Sequence, residues 1–104
     1  MGIFNAFRHP QFDALLRQAR STPDALLIDV RMPSEYRNDG HVPQSVNLPL
    51  DLIEETPIEA GKTLFVYCRS GVRSGRACAL LRQRGYKAVN VGGILDYRGP
   101  LEYG

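Results

Sequence analysis

A chain of 104 residues that is 43% hydrophobic is long enough for one modest core, so a single domain over 1–104 with one site is expected. A formal charge of +2 and a pI near 8.7 fall well short of the dense positive surface that nucleic acid requires. Two cysteines make no disulfide framework, and two histidines leave no Cys/His cluster at metal spacing. No run approaches the roughly 18 apolar residues of a membrane span. The opening MGIFNAFRHP lacks the basic-then-apolar order of a secretion signal, and Ala6 stands where a myristoylation motif has Ser or Thr. A cytoplasmic protein without a membrane partner is therefore expected, and a monomer.

Taken in order, the elements alternate. FDALLRQAR places Phe12, Leu15, Leu16 and Ala19 at helical spacing, and STPD closes that helix. ALLIDV, residues 25–30, is a short apolar run suited to a strand buried on both faces. MPSEYRNDG provides a helical turn or two after Pro33. SVNLPL then reads as a short strand closed by Pro49, and DLIEE as a short helix. TLFVYC, residues 63–68, has the strongest strand composition in the chain. From Ser74, SGRACALLRQRG is helical, with Ala77, Cys78, Leu80 and Leu81 on one side and Gly85 as the stop. KAVNV is a last strand before Gly92–Gly93. Strands alternating with helices through short links imply an α/β fold, a parallel sheet covered on both faces.

In that layout Cys68 ends a parallel strand and the segment after it leads into a helix, the position where open α/β sheets bind ligands. Arg69, Ser70, Gly71, Val72 and Arg73 form a loop short enough to curl its backbone N–H groups around one point. Such a nest, backed by a helix dipole of about half a unit charge, holds an anion and stabilises a thiolate. Gly71 permits a positive φ, Ser74 is the expected N-cap, and Arg69 and Arg73 add full charge. Comparable surroundings bring known cysteines from near 8.5 down to roughly 3.5 to 7.5. Cys68 is thus the candidate nucleophile. Cys78, on the apolar side of a helix, reads as a small core hydrophobe.

LLIDVRMPSEYRNDGHVPQSVNLPL, VYCRSGVRSGRACALLRQRGY and NVGGILDY, in that order, resemble the successive signatures of rhodanese domains, the thiosulfate sulfurtransferase family, from about residue 25 to 97. Single-domain bacterial members are the most similar. The resemblance implies a parallel sheet of about five strands with helices on both faces. It also implies a cysteine that carries sulfur as a persulfide, which by position is Cys68, cradled by Arg69 to Ser74. Sulfur would pass from a small anionic donor such as thiosulfate to a thiol or cyanide acceptor, with no cofactor. Two positions depart from the family: Tyr97 stands where Trp is common, and Gln44–Ser45 replaces a commoner Gly-Ala pair.

The resemblance also makes His41, in DGHVP, a structural residue more than a general base for Cys68. Asp29 and Arg31 are expected to pair and hold the following loop against Glu35 or its neighbours. Gly92–Gly93 permits a tight turn beside the site. Two alternatives stay open: a relay that hands sulfur to a protein acceptor, and a cysteine phosphatase or arsenate reductase with a similar thiolate over a nest. Loop length separates the second, because cysteine phosphatases use C-x5-R and the spacing from Cys68 to Arg73 is C-x4-R.

Overall fold

The computed structural model describes residues 11–104. The opening MGIFNAFRHP, read above for secretion and lipidation signals, lies outside the described residues. Helix α1 is Gln11–Ser21, and it buries Phe12, Leu16 and Ala19, the stripe its spacing requires. Strand β1, Ala25–Asp29, follows, then helix α2, Pro33–Asn38, entered through Pro33. Strand β2 is only Val46–Asn47, shorter than the SVNLPL run. Beyond it Leu48 and Leu50 still donate to Asp29 and Val30 carbonyls, but Pro49 between them has no N–H and the chain turns into a 3-10 turn at Leu50–Leu52. Strand β3, Thr63–Cys68, helix α3, Val72–Gln83, and strand β4, Lys87–Gly93, complete the sheet, and a second 3-10 turn follows at Ile94–Asp96. No helix among the described residues is long and apolar enough to cross a membrane.

The strands run parallel in the order β2-β1-β3-β4. Among the described residues the sheet therefore has four strands, where the family resemblance implied about five. Central β3 alternates between two cores, as a two-residue period demands. Leu64, Val66 and Cys68 point to the face covered by α3, with Ala77, Cys78 and Leu81. Phe65 and Tyr67 point to the face covered by α1, with Phe12 and Leu16. At β4 the register against β3 slips between Val66 and Tyr67: Val66 pairs with Asn90, Tyr67 with Gly92, and Val91 is the extra residue of a bulge.

A buried ion pair closes the exit of β1. Asp29 and Arg31 are 0% and 2% exposed, and the Arg31 guanidinium grips both Asp29 carboxylate oxygens and donates to the Gly40 carbonyl at 2.8 Å. Every charge in it is hydrogen-bonded, which a pair taken out of water requires. The expected pairing of these two residues is present and holds the following segment at Gly40, not at Glu35, whose carboxylate is taken by Arg73 in the helix after β3. Beside the pair on the same face, with the Arg31 guanidinium 5.9 Å from its ring centroid, Tyr67 accepts the Val42 N–H at its hydroxyl at 3.0 Å and meets Ser45 Oγ at 3.0 Å, and burial pushes its ionisation upward.

Candidate active site

Strand β3 delivers Cys68 to the carboxyl edge of the sheet, and the chain reverses over it within three residues to enter α3. Gly71 makes that reversal at φ +101°, a left-handed conformation that an L side chain adopts only under strain. The hydrogen-bond donors then converge. The Gly71 N–H donates to Cys68 Sγ at 3.0 Å and the Ser74 N–H at 3.3 Å, while Ser74 Oγ lies 3.4 Å from the same sulfur. Cys68 itself is buried, whereas Arg69, Ser70 and Val72 around the mouth are exposed.

Helix α3 begins two residues earlier than its apolar pattern indicates. Its N-cap is Gly71, so Val72, Arg73 and Ser74 form the first turn and Ser74 is not the cap. The reason is local: a helical turn starting at Val72 is what brings the Ser74 N–H down onto Sγ. No acidic residue occupies that first turn. The positive end of the helix is left for whatever negative charge Cys68 carries.

A hydroxyl has one proton to give. Ser74 Oγ donates it to Asn90 Oδ1 at 2.7 Å, so Ser74 meets a thiol at Cys68 as an acceptor of its S–H. A thiolate instead recruits the Ser74 proton at the expense of the bond to Asn90.

Arg73 does not stand free. Its two terminal nitrogens bind the Glu35 carboxylate at 2.7 and 3.0 Å, a bidentate pair that ties the start of α3 to α2. The Arg73 hydrogen bonds hold Glu35 down at about 2, and Arg73 is raised in turn. Half of the positive charge expected from Arg69 and Arg73 is thus countered by a carboxylate, and Arg69 is the exposed cation of the two.

His41 takes the structural role. Its ring stacks on Tyr36 with centroids 3.6 Å apart, its Nδ1 meets the Tyr36 carbonyl at 2.8 Å, and its Nε2 faces Glu102 at 4.0 Å. An antiparallel bridge from His41 to Glu102 fastens the end of the chain. Cys78 is buried among Leu64, Ala77 and Leu81, and burial pushes its thiol up to about 11.

Two residues of the site escape the sequence pattern. Gly93 is not in a turn but at the end of β4, paired with Cys68, and a Cβ there would run into the Arg69 carbonyl and come within 2.6 Å of Ser70 Cα. Only glycine lets the loop lie against the strand. Asn90, in mid-strand, holds Ser74 Oγ through Oδ1 and donates from Nδ2 to the Gly71 carbonyl at 3.2 Å. Its one signal in the sequence is a poor strand former inside KAVNV.

The model of the rhodanese-like domain matches residues 12–100, most of the chain and all of the elements around Cys68. The chain belongs to the rhodanese-like domain family. Among curated relatives, a sulfurtransferase of Allochromatium vinosum is 38% identical over 91 residues, covering 86% of this chain and 79% of that protein. The thiosulfate sulfurtransferase PspE of Escherichia coli is 38% identical over 78 residues, covering 70% and 74%. A solved rhodanese-like domain protein of Staphylococcus aureus superposes with a TM-score of 0.78 at 27% identity, covering 89% of this chain and 94% of that one. The α/β class and the family expected from the motifs are both shown, with helices on both faces of the sheet.

Proposed function

We propose that this rhodanese domain is a sulfurtransferase that carries sulfane sulfur as a persulfide on Cys68. The observation that carries the reading is the convergence of the Gly71 and Ser74 N–H groups on a single Sγ at the N-terminus of α3. Relatives named as sulfurtransferases support the class of reaction, and PspE supports thiosulfate as donor. In the forward half-reaction the Cys68 thiolate attacks the outer sulfur of thiosulfate. A new S–S bond forms, the bond between the two thiosulfate sulfurs breaks, and its electron pair leaves with sulfite. A thiol or cyanide acceptor then attacks the persulfide and restores the Cys68 thiolate, a ping-pong cycle that asks nothing of a cofactor. Arg69, Ser70, Gly71, Val72, Arg73 and Ser74 line the site for the donor and the transferred sulfur, Arg73 with its guanidinium held by Glu35. Their donors are oriented before the reaction, so charge moves without reorganising its surroundings.

The C-x4-R spacing favours sulfur over phosphate, since a shorter ring suits one added sulfur and crowds a phosphoryl group with three oxygens. The direct test is mass spectrometry of the protein after incubation with thiosulfate. A one-sulfur adduct on the peptide holding Cys68, removed by cyanide, is expected. An unmodified Cys68 peptide, together with faster hydrolysis of an aryl phosphate than transfer of sulfur to cyanide, replaces the reading with a cysteine phosphatase.

A further inference from the structure

The strand residue Asn90 is spent on neither core. It lies on the exposed side of β4, in an element that favours branched and aromatic side chains. Yet its amide makes three hydrogen bonds of the four it can form. Oδ1 accepts the Ser74 hydroxyl at 2.7 Å and the Gly92 N–H at 3.0 Å, and Nδ2 donates to the Gly71 carbonyl at 3.2 Å. These partners fix the amide orientation, because Oδ1 receives two donors while Nδ2 faces a carbonyl. The bulge at Val91 lies immediately beside Asn90, and such irregularities re-aim a side chain at a sheet edge.

We propose that Asn90 is a positioning residue for sulfur transfer, which acts through Ser74 and Gly71 to hold the loop donors on Cys68. The proposal rests on Cys68 as the sulfur carrier. Asn90 makes no contact with Cys68 itself; it acts on the two residues whose N–H groups reach Sγ. Through Oδ1 it selects the Ser74 rotamer that leaves Oγ 3.4 Å from Sγ, close enough to exchange one proton's worth of donation with the sulfur. Through Nδ2 it pins the carbonyl of the Gly71–Val72 peptide. In a trans peptide the Val72 N–H points opposite to that carbonyl, so fixing one end fixes the other. A sulfur atom added to Cys68 thus meets a loop whose peptide planes are already set from β4, across the sheet edge.

The test is Asn90→Val, which removes all three hydrogen bonds while keeping a branched side chain that strands prefer. Single-turnover loading of sulfur from thiosulfate, the KM for thiosulfate and thermal unfolding are read on the full chain. Loading at saturating donor is expected to slow about tenfold or more, the scale on which a slightly displaced reacting geometry costs rate. KM should stay within about twofold and the melting temperature should hold or rise. In a Ser74→Ala background, Asn90→Val should cost clearly less than in the native chain, since part of its effect passes through the Ser74 hydroxyl. A melting temperature that falls with loading intact, or effects of the two substitutions that simply multiply, overturns the proposal. Cys68→Ala run in parallel separates the two readings. If it still loads sulfur, the function assigned to Cys68 fails; if it is inert while Asn90→Val loads at the native rate, only the role of Asn90 fails.

Discussion

Cys68 and Cys78 sit in the same apolar cluster on the same face of the sheet, and each is 1% exposed. Burial does not tell them apart. What differs is direction: Cys68 lies at a strand end with two backbone N–H groups aimed at its sulfur, while Cys78 lies inside a helix whose own N–H groups are spent on its ladder. Desolvation outweighs the opposing pull of the Arg82 charge at Cys78 and drives its thiol up to about 11, which leaves it protonated and inert near neutrality. A buried thiol becomes a site when the fold offers hydrogen bonds to its charged form.

The comparison breaks most visibly by exchange of roles. Cys68→Ala should reduce sulfur loading on the order of a thousandfold or more, as loss of a nucleophile does. Cys78→Ala should keep most of the loading and cost about 1 kcal/mol of stability through the small cavity it leaves, read from urea unfolding. Loading that survives Cys68→Ala and vanishes with Cys78→Ala would reverse the assignment of the two thiols.

Next in size is Gly93→Ala, which forces the loop off β4 without touching Cys68. A methyl there meets backbone, with Ser70 Cα 2.6 Å away, so the strand or the loop must move. About 2 kcal/mol of stability should be lost, and sulfur loading should fall more than unfolding accounts for at temperatures where the variant is folded. Full loading by this variant would show that the loop's seat on the strand does not set the donors around Sγ.

Glu35→Gln sharpens the charge side of the contrast. Glu35 is held at about 2 from an ordinary 4.5, so its contribution to stability is present above pH 4.5 and is lost as pH falls through about 2. Glu35 and Arg73 are both partly exposed, with side chains 22% and 35% accessible, so about 1 kcal/mol is expected at neutral pH. Urea midpoints of the native chain and Glu35→Gln should differ at neutral pH and converge toward pH 2. The substitution should also lower the KM for thiosulfate, because it frees Arg73 for the donor. An unchanged KM would mean that Arg73 serves only as an anchor for α3.

The smallest effect is expected far from both cysteines. Gln44 sits at φ +72°, so Gln44→Gly should relieve left-handed strain at the cost of a more flexible unfolded chain. A net gain of about 0.5 kcal/mol in thermal unfolding is expected, with sulfur loading unchanged. A change in loading would connect this turn to the site through Ser45 and Tyr67.

Much of this architecture is written locally. The helical spacing of Phe12, Leu16 and Ala19 and the unbroken apolar run of TLFVYC each specify an element and the side it buries. Cys68 was legible as a candidate because a cysteine followed at once by a cation and a glycine is out of place in a core. The start of α3 was less legible: Val72 is 77% exposed and lends no apolar period to the helix, so the pattern shows only from Ser74 onward. Gly93 gives no sign in the sequence that it is a close-approach residue, since the backbone it accommodates, at Arg69 and Ser70, belongs to another element.

The sequence by itself determined the alternation of the main helices and strands, which faces they bury and which cysteine meets a helix N-terminus. Those are short-range matters of side-chain period and of the special backbone of Gly71. The tertiary structure decided how the loop is charged and held. Arg73 finds Glu35 from 38 positions away, and Gly71 is pinned by Asn90 from 19 positions away. Neither pairing has a local signature, because both depend on strand order in the sheet and the second also on a one-residue bulge in β4. A slip of one residue turns a side chain to the opposite face of a strand, so the register of β4 against β3 decides whether Asn90 reaches the loop at all.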